Sequence, residues 1–302
     1  MFSPTSNREP EPNRSSTGFT GTSCSRPDRV GREGLLRLEF TARGGQTILS
    51  RRRFTHPLQA LDPFRAEDGS LCLMMLNTSG GMVGGDRLIS HIEVSEDAAA
   101  ALISASAAKV YRTLGPAARQ ETFIRLGPRA TIEFLPDHVI PHPGAAYRQS
   151  LRVEMASGSR AIVYDAIAAG RIGRGEHWQF RELQSETIAV RESHPLYINR
   201  SRIVPAELSP AQLGFAERFN YLATMVAIDE RRAAWNDVIS EADEALNSSP
   251  GLRGGASEIA CGGCAARFMA ESATELDRGF HSLWGIMRRR VLGRDSFSMR
   301  RP

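Results

Sequence analysis

The segment Tyr147-Arg-Gln-Ser-Leu-Arg-Val-Glu-Met155 places Leu151, Val153 and Met155 at every second position, with Arg152 and Glu154 between them. That is the period at which successive side chains of a strand point to opposite faces, so one face belongs in a core and the other in water. Working outward, short segments of the same kind recur. Ser70 to Asn77, Arg87 to Val94, Ala100 to Ser106, Glu121 to Leu126 and Thr131 to Pro136 precede it; Ala161 to Ala169, Glu176 to Leu183, Glu186 to Arg191 and Leu196 to Val204 follow. Turn residues separate them, and no helical periodicity lies between them to supply parallel crossovers. The region therefore reads as mainly β.

Order is expected to begin at Gly34, with strands through Leu35 to Phe40 and Thr47 to Arg51 joined by a turn at Gly44-Gly45. Before it, residues 1–33 are rich in Ser, Pro, Thr, Gly, Arg and Glu and almost lack large apolar side chains, the composition of a disordered N-terminal tail. The last third changes character. Arg218 to Ile228 is a further strand, and Asp229 to Leu246 reads as a helix with Asp229 at its N-cap. Two short strands surround Cys261 and Phe268, and an amphipathic helix runs from Ser272 to Arg290 with Leu276, Phe280, Leu283, Trp284 and Met287 on one face. The expected organisation is one domain over 34–302, β-rich over 34–205, with an α+β portion of about two helices over 206–292. No internal repeat is visible at a solenoid period.

The chain has 302 residues, 41% of them hydrophobic, enough to bury a substantial core. Its net charge of +4 comes almost wholly from arginine, because Lys109 is the only lysine. The arginines are scattered rather than clustered with aromatics, which argues against a nucleic-acid binder. Four cysteines are too sparse for a disulfide framework, and neither a secretory signal nor an apolar run of membrane-spanning length is present; a cytoplasmic protein with no membrane partner is expected.

Several segments carry candidate chemistry. Asn77-Thr-Ser-Gly-Gly-Met-Val-Gly-Gly-Asp86 is glycine-rich but ends Gly85-Asp86-Arg87, without the Gly-Lys-Ser/Thr of a phosphate-binding loop; a long glycine hairpin between strands is the simpler reading. Lys109, in Ile103-Ser-Ala-Ser-Ala-Ala-Lys-Val-Tyr-Arg112, would serve as a base or nucleophile if desolvated, but fits a strand end with its ammonium in water. Asp137, His138 and His142 are metal-ligand types, yet Pro136 and Pro141 exclude the helix that would align the histidines. Gly170-Arg-Ile-Gly-Arg-Gly-Glu176 has the wrong glycine order for a dinucleotide fingerprint; its arginines would bind a carboxylate or flank a turn. Cys261-Gly-Gly-Cys264 lacks a second ligand pair and reads as two thiols at a hairpin turn, with metal binding shared across a dimer as the other reading.

Taken in order, Gly80 to Asp86, Ser104 to Arg112, Ile132-Glu-Phe-Leu-Pro136, Pro143-Gly-Ala145 and Gly170 to Glu176 resemble the UreD family of urease accessory proteins. The likeness extends from about residue 35 to the final helix with Trp284 and Arg288. Phe134 replaces a tryptophan of the family pattern, Asn199-Arg200 replaces an acidic residue before arginine, and the ending Met299-Arg-Arg-Pro302 departs from the usual one. The resemblance implies a long curved strand array with a few helices. It implies a non-catalytic chaperone that, with UreF and the GTPase UreG, helps nickel reach apo-urease, in an assembly made dimeric through UreF. GTP hydrolysis would belong to UreG. No tightly bound cofactor is implied, only transient nickel in an internal passage lined by carboxylates that bind weakly enough to release it. By position Asp86 and Glu176 are the candidate nickel contacts, followed by Asp165 and Asp137. The alternative is an enzyme using Lys109 or the Asp137/His138/His142 cluster for acid–base chemistry, which requires a closed pocket gathering those groups.

Overall fold

The computed structural model describes residues 32–66 and 68–297, so most of the N-terminal tail assignment and the C-terminal Met299–Pro302 lie outside the described residues. β1 (Glu33–Arg43) and β2 (Gln46–Thr55) form a hairpin turned by Gly44 and Gly45, both at positive φ. β3 (Leu58–Ala60) and β4 (Phe64–Arg65) lead to β5 (Leu71–Asn77). From there the chain winds between two sheets. β6 (Arg87–Val94), β9 (Ala118–Leu126), β12 (Ala146–Met155) and β14 (Glu182–Arg191) stack in parallel in the first. β5, β7 (Ala99–Ser104), β10 (Thr131–Leu135) and β13 (Arg160–Ala168) stack in parallel in the second. Short strands β8 (Ala108–Val110) and β11 (Val139–Pro141) pair at the corner between them.

Each parallel crossover is thus made by a strand of the opposite sheet, which is how a helix-poor chain builds parallel ladders. The rungs differ in length. Leu88 stacks beside Gln120, Gln120 beside Gln149, and Gln149 beside Ser185, and this changing spacing hides the repeat from any fixed-period reading. The expectation of a mainly β strand array with two C-terminal helices holds.

β15 (His194–Ile203) ends the first sheet as an antiparallel edge strand. β16 (Tyr221–Asp229) continues the second sheet antiparallel to β13 and is followed by α1 (Asn236–Leu246). The hairpin of β17 (Leu252–Ile259) and β18 (Gly263–Ala270) extends that sheet, and α2 (Ala273–Met287) closes the fold, passing into a single π-turn over Arg288–Leu292. Ser272 caps α2 by accepting from the Glu275 amide at 3.2 Å, as its sequence suggests.

The two sheets differ in what covers them. In the first, Leu88, Ile92, Val94, Ile124, Leu126 and Val153 face inward, while Arg87, Arg119, Arg125 and Arg148 are exposed. The second sheet is buried on both faces. Leu102, Ile132 and Val163 meet the first sheet across the lumen, while Ala101, Leu135 and Tyr164 pack against α2 and its neighbours through Phe280, Leu283 and Trp284. Two-sided burial is the usual setting of parallel strands.

Three expectations are corrected. Glu176 to Leu183 is not a strand: Gly170, Gly175 and Trp178 all take positive φ, giving a one-turn 3-10 segment (Ile172–Arg174) and a loop, and pairing resumes only at Glu182. The first helix starts at Asn236 rather than at Asp229. Asp229 ends β16, and its carboxylate accepts from the Arg231 amide at 3.0 Å instead of capping a helix. The Gly80–Gly85 run is no hairpin but the corner that carries the chain from β5 in one sheet to β6 in the other.

Candidate functional site

Four of the five motif segments assemble along one corner of the solenoid; the Cys261-Gly-Gly-Cys264 turn does not. Met82 donates its amide to the Lys109 carbonyl (2.8 Å) and accepts from the Tyr111 amide (2.8 Å); His142 donates to the Val110 carbonyl (2.8 Å); Gly144 donates to the Gln179 carbonyl (2.8 Å). Segments 80–85, 109–116, 138–144 and 169–179 therefore lie side by side as a wall. Two glycines are forced by this stacking. At Gly81 (φ +156°) a Cβ would sit 2.6 Å from the Tyr111 ring, and at Gly170 (φ +150°) one would sit 2.5 Å from the Glu176 carbonyl oxygen.

Within the wall, Asp86 is buried and accepts from the amides of Arg32 (2.7 Å) and Val83 (2.9 Å), which fastens the glycine turn to the start of β1. Glu176 is held bidentately by Arg171 at 2.5 and 2.6 Å, and that guanidinium keeps its carboxyl below the ordinary range. Asp137 accepts from the His138 ring at 2.8 Å. His142 instead packs edge-on against Tyr111; burial, and next the Arg171 charge, lower its pKa and favour the neutral imidazole. Lys109 is exposed. The groups required for acid–base chemistry are thus divided between separate pairs. Among the described residues no cluster of three His, Cys, Asp or Glu side chains has the arrangement of a metal site.

Asp165 stands apart from the wall, on the lumen face of β13. Gln149 donates to one carboxyl oxygen at 2.6 Å and the Ser185 hydroxyl to the other at 2.7 Å. Enclosure pushes this carboxyl above the ordinary carboxylate range, because both partners are neutral and only partly offset the loss of water. Around it, sheet register builds two inward rows that interrupt the apolar core. One runs Gln120, Gln149, Ser185, and the next Ser90, Thr122, Leu151, Thr187. The Tyr147 hydroxyl donates to Gln120 at 3.1 Å. A cavity of about 60 Å³, room for roughly one or two waters, is lined by Asp165, Asp137, Gln149, Thr122 and Thr187. A second, of about 170 Å³, shares Ser104, Ala108, Gln120, Thr122, Phe134 and Pro136 with the first and reaches Gly80, Gly81 and Lys109 on the wall. Two neighbouring cavities with shared walls therefore lie between the corner and Asp165.

The inward glutamines and hydroxyls escape a sequence reading based on alternation, because they occupy core-parity positions with polar side chains. Once parity is set by Ile124 and Leu126, the polar pair Gln120 and Thr122 stands out as the break in the pattern. At the hairpin turn, Cys261 is exposed and Cys264 buried, with burial raising the Cys264 thiol to about 11, so it is protonated at neutral pH and no ready ligand. Asn199, in place of the acid of the family pattern, accepts from Arg267 at 3.0 Å. No helix among the described residues is long and apolar enough to cross a membrane.

The family model described as UreD urease accessory protein matches residues 32–302. The urease accessory protein UreD of Alkalilimnicola ehrlichii is 33% identical over 280 residues, 92% of this chain and 94% of that protein. Those of Nostoc punctiforme (31% identical, 90% of this chain and 96% of that protein) and Deinococcus radiodurans (30%, 93% and 98%) are similar over comparable spans.

Proposed function

We propose a function that proceeds from membership: the chain belongs to the UreD family of urease accessory proteins, and its role lies in urease maturation as a partner of the urease machinery. The match of the family model to residues 32–302 carries this reading. In the finer reading, the chain acts in the cytoplasm as a non-catalytic chaperone. With UreF and the GTPase UreG it delivers nickel to apo-urease, UreG hydrolyses GTP, and UreF brings two copies of the chain into one assembly.

Nickel is cargo here, held transiently. A carrier needs ligands that compete with water yet let go, which favours few, spaced oxygen donors over a closed thiolate site. Polar groups within the lumen support such a path: Asp165 and Asp137 line the inner cavity, with Thr122 and Thr187 beside them. Asp86 and Glu176 are its candidate contacts on the wall. Glu176 reaches a cation only when the Arg171 pair opens, since that guanidinium already balances its charge.

Expression of the chain's urease gene cluster with and without this gene tests the role. Urease purified without it is expected to lack nickel and activity. Full nickel loading and activity in its absence would contradict the reading.

A further inference from the structure

Over much of the surface, arginines lie against carboxylates. On the exposed face of the first sheet Arg87 pairs Glu121, Arg125 and Arg152 pair Glu154, Arg200 pairs Glu186, and Arg202 pairs Glu182 and Glu207; at the turns Arg129 holds Glu96 and Asp97. Elsewhere the exposed arginines without an ion-pair partner among the described residues, such as Arg37, Arg53 and Arg119, are spread along the strands, whereas the corner wall gathers its own beside exposed apolar side chains. Lys109, Arg112 and Arg174 are all exposed there, and among the described residues none has an ion-pair partner. The wall's one surface carboxylate, that of Glu176, is already spent on Arg171. Beside these cations lie apolar side chains that water does not favour: Leu114 is 90% exposed, Val83 43% and Tyr111 37%.

These groups form one surface rather than a scatter. Tyr111 donates its hydroxyl to the Gly80 carbonyl (3.2 Å) beside Val83; Gly85 donates to the Pro116 carbonyl (3.0 Å), which brings the Leu114 turn against the glycine corner; and Arg112 packs over Gly144. Three uncompensated cations interleaved with apolar side chains on a rigid ladder fit a partner of complementary chemistry. Its carboxylates would replace the missing counter-charges, and its apolar side chains would cover Leu114, Val83 and Tyr111.

We propose that this wall is a protein-docking surface, and that its occupant is a segment of a partner protein in the urease maturation assembly carrying carboxylates beside apolar side chains. The proposal rests on the maturation reading for the existence of that assembly and adds the surface and the chemistry of the contact. It also assigns a role to the only lysine of the chain: its ammonium makes a point contact with a partner carboxylate.

Because Lys109 is the only lysine, a zero-length carbodiimide, which joins an amine directly to a carboxylate, reports on this surface almost alone. The experiment treats the intact assembly, purified from cells expressing the chain with its urease gene cluster, and the chain by itself; peptide mapping separates Lys109 from the N-terminal amine. The expected product in the assembly is an amide between Lys109 and an Asp or Glu of another protein, absent from the chain alone and from Lys109→Arg, whose guanidinium keeps the charge but not the reactive amine. Acetylation of Lys109 by an amine-specific reagent should be at least tenfold slower in the assembly. The double variant Arg112→Glu/Arg174→Glu should lower the partner recovered with the chain at least tenfold, more strongly at low salt. If the assembly forms while Lys109 stays as reactive as in the free chain and gives no partner cross-link, the surface is overturned; cross-links only to a second copy of this chain overturn it too. If the chain does not assemble with the urease machinery under any condition, the maturation reading itself fails, a distinct result.

Discussion

β10 and β13 are neighbours in the second sheet, and each withdraws one carboxyl from bulk water, on opposite faces. Glu133, on the helix side, is 2% exposed, and burial raises its carboxyl pKa against the pull of a cation: the Trp284 indole donates to Oε2 at 2.7 Å and the Arg288 guanidinium lies 3.1 Å from the same oxygen. Arg288, itself 0% exposed, also reaches Asp68 and Ser70 and lies against Trp284 and Phe297. Asp165, on the lumen side, has only neutral partners, the Gln149 amide, the Ser185 hydroxyl and the Ala166 backbone, and adjoins a cavity. An enclosed carboxylate matched by a guanidinium is a structural fastening, whereas one left with neutral partners beside space remains available to a cation. The same sheet thus carries a clasp on one face and a candidate site on the other.

The largest effect should come from breaking the clasp. Arg288→Ala leaves Glu133 and Asp68 without their cation and is expected to destabilise by about 3–5 kcal/mol, the usual result of orphaning a buried charge; denaturant unfolding measures it. The pair Glu133→Leu/Arg288→Met should recover most of that loss. If the single variant is as stable as wild type, Glu133 is not fastened and the contrast with Asp165 collapses.

On the other face, Asp165→Asn keeps the shape and most hydrogen-bonding capacity. Its unfolding free energy should change by less than about 1 kcal/mol, while urease activation in cells falls at least tenfold. A fall in stability matching that of Arg288→Ala would make Asp165 a second clasp.

A pH series sharpens the difference. Asp165 has its pKa raised by enclosure, so the folded state holds its proton more tightly than the unfolded chain. Its contribution is then fully present below the ordinary carboxylate range and is lost as pH rises from that range through the raised folded value. Stability measured across that window should fall for wild type relative to Asp165→Asn; parallel curves would contradict the assignment. The smallest effect belongs to Glu176→Gln. Its partner Arg171 lies at the surface, so the unfolding midpoint should not move measurably, whereas a clear shift would show that the wall depends on this pair.

Much of the architecture was legible in the alternation of Leu151, Val153 and Met155 and in the apolar faces of the closing helices, since burial imposes those periods directly. The direction of the strands was not, because parallel stacking without helices depends on each rung crossing to the other sheet, a relation between residues about thirty apart with no constant spacing. The site was partly legible. Order along the chain marked the four segments that form the wall, and Asp165 and Asp137 were among the candidates. The hydroxyls and amides around Asp165 remained hidden because each occupies a core position in its own strand, and only register brings Gln120, Gln149 and Ser185 into one row. Asp86 and Glu176, the leading candidates by position, have amide and guanidinium partners supplied by Arg32, Val83 and Arg171, which sequence order alone does not reveal.

If the lumen carboxyl serves the cargo, its loss starves urease of nickel. The most direct measurement is the nickel content per active site of urease purified from cells in which Asp165→Asn replaces the wild-type chain at equal level and with its partners still bound. Urease largely empty of nickel is the expected result; fully loaded urease would show that the lumen carboxyl does not serve the cargo.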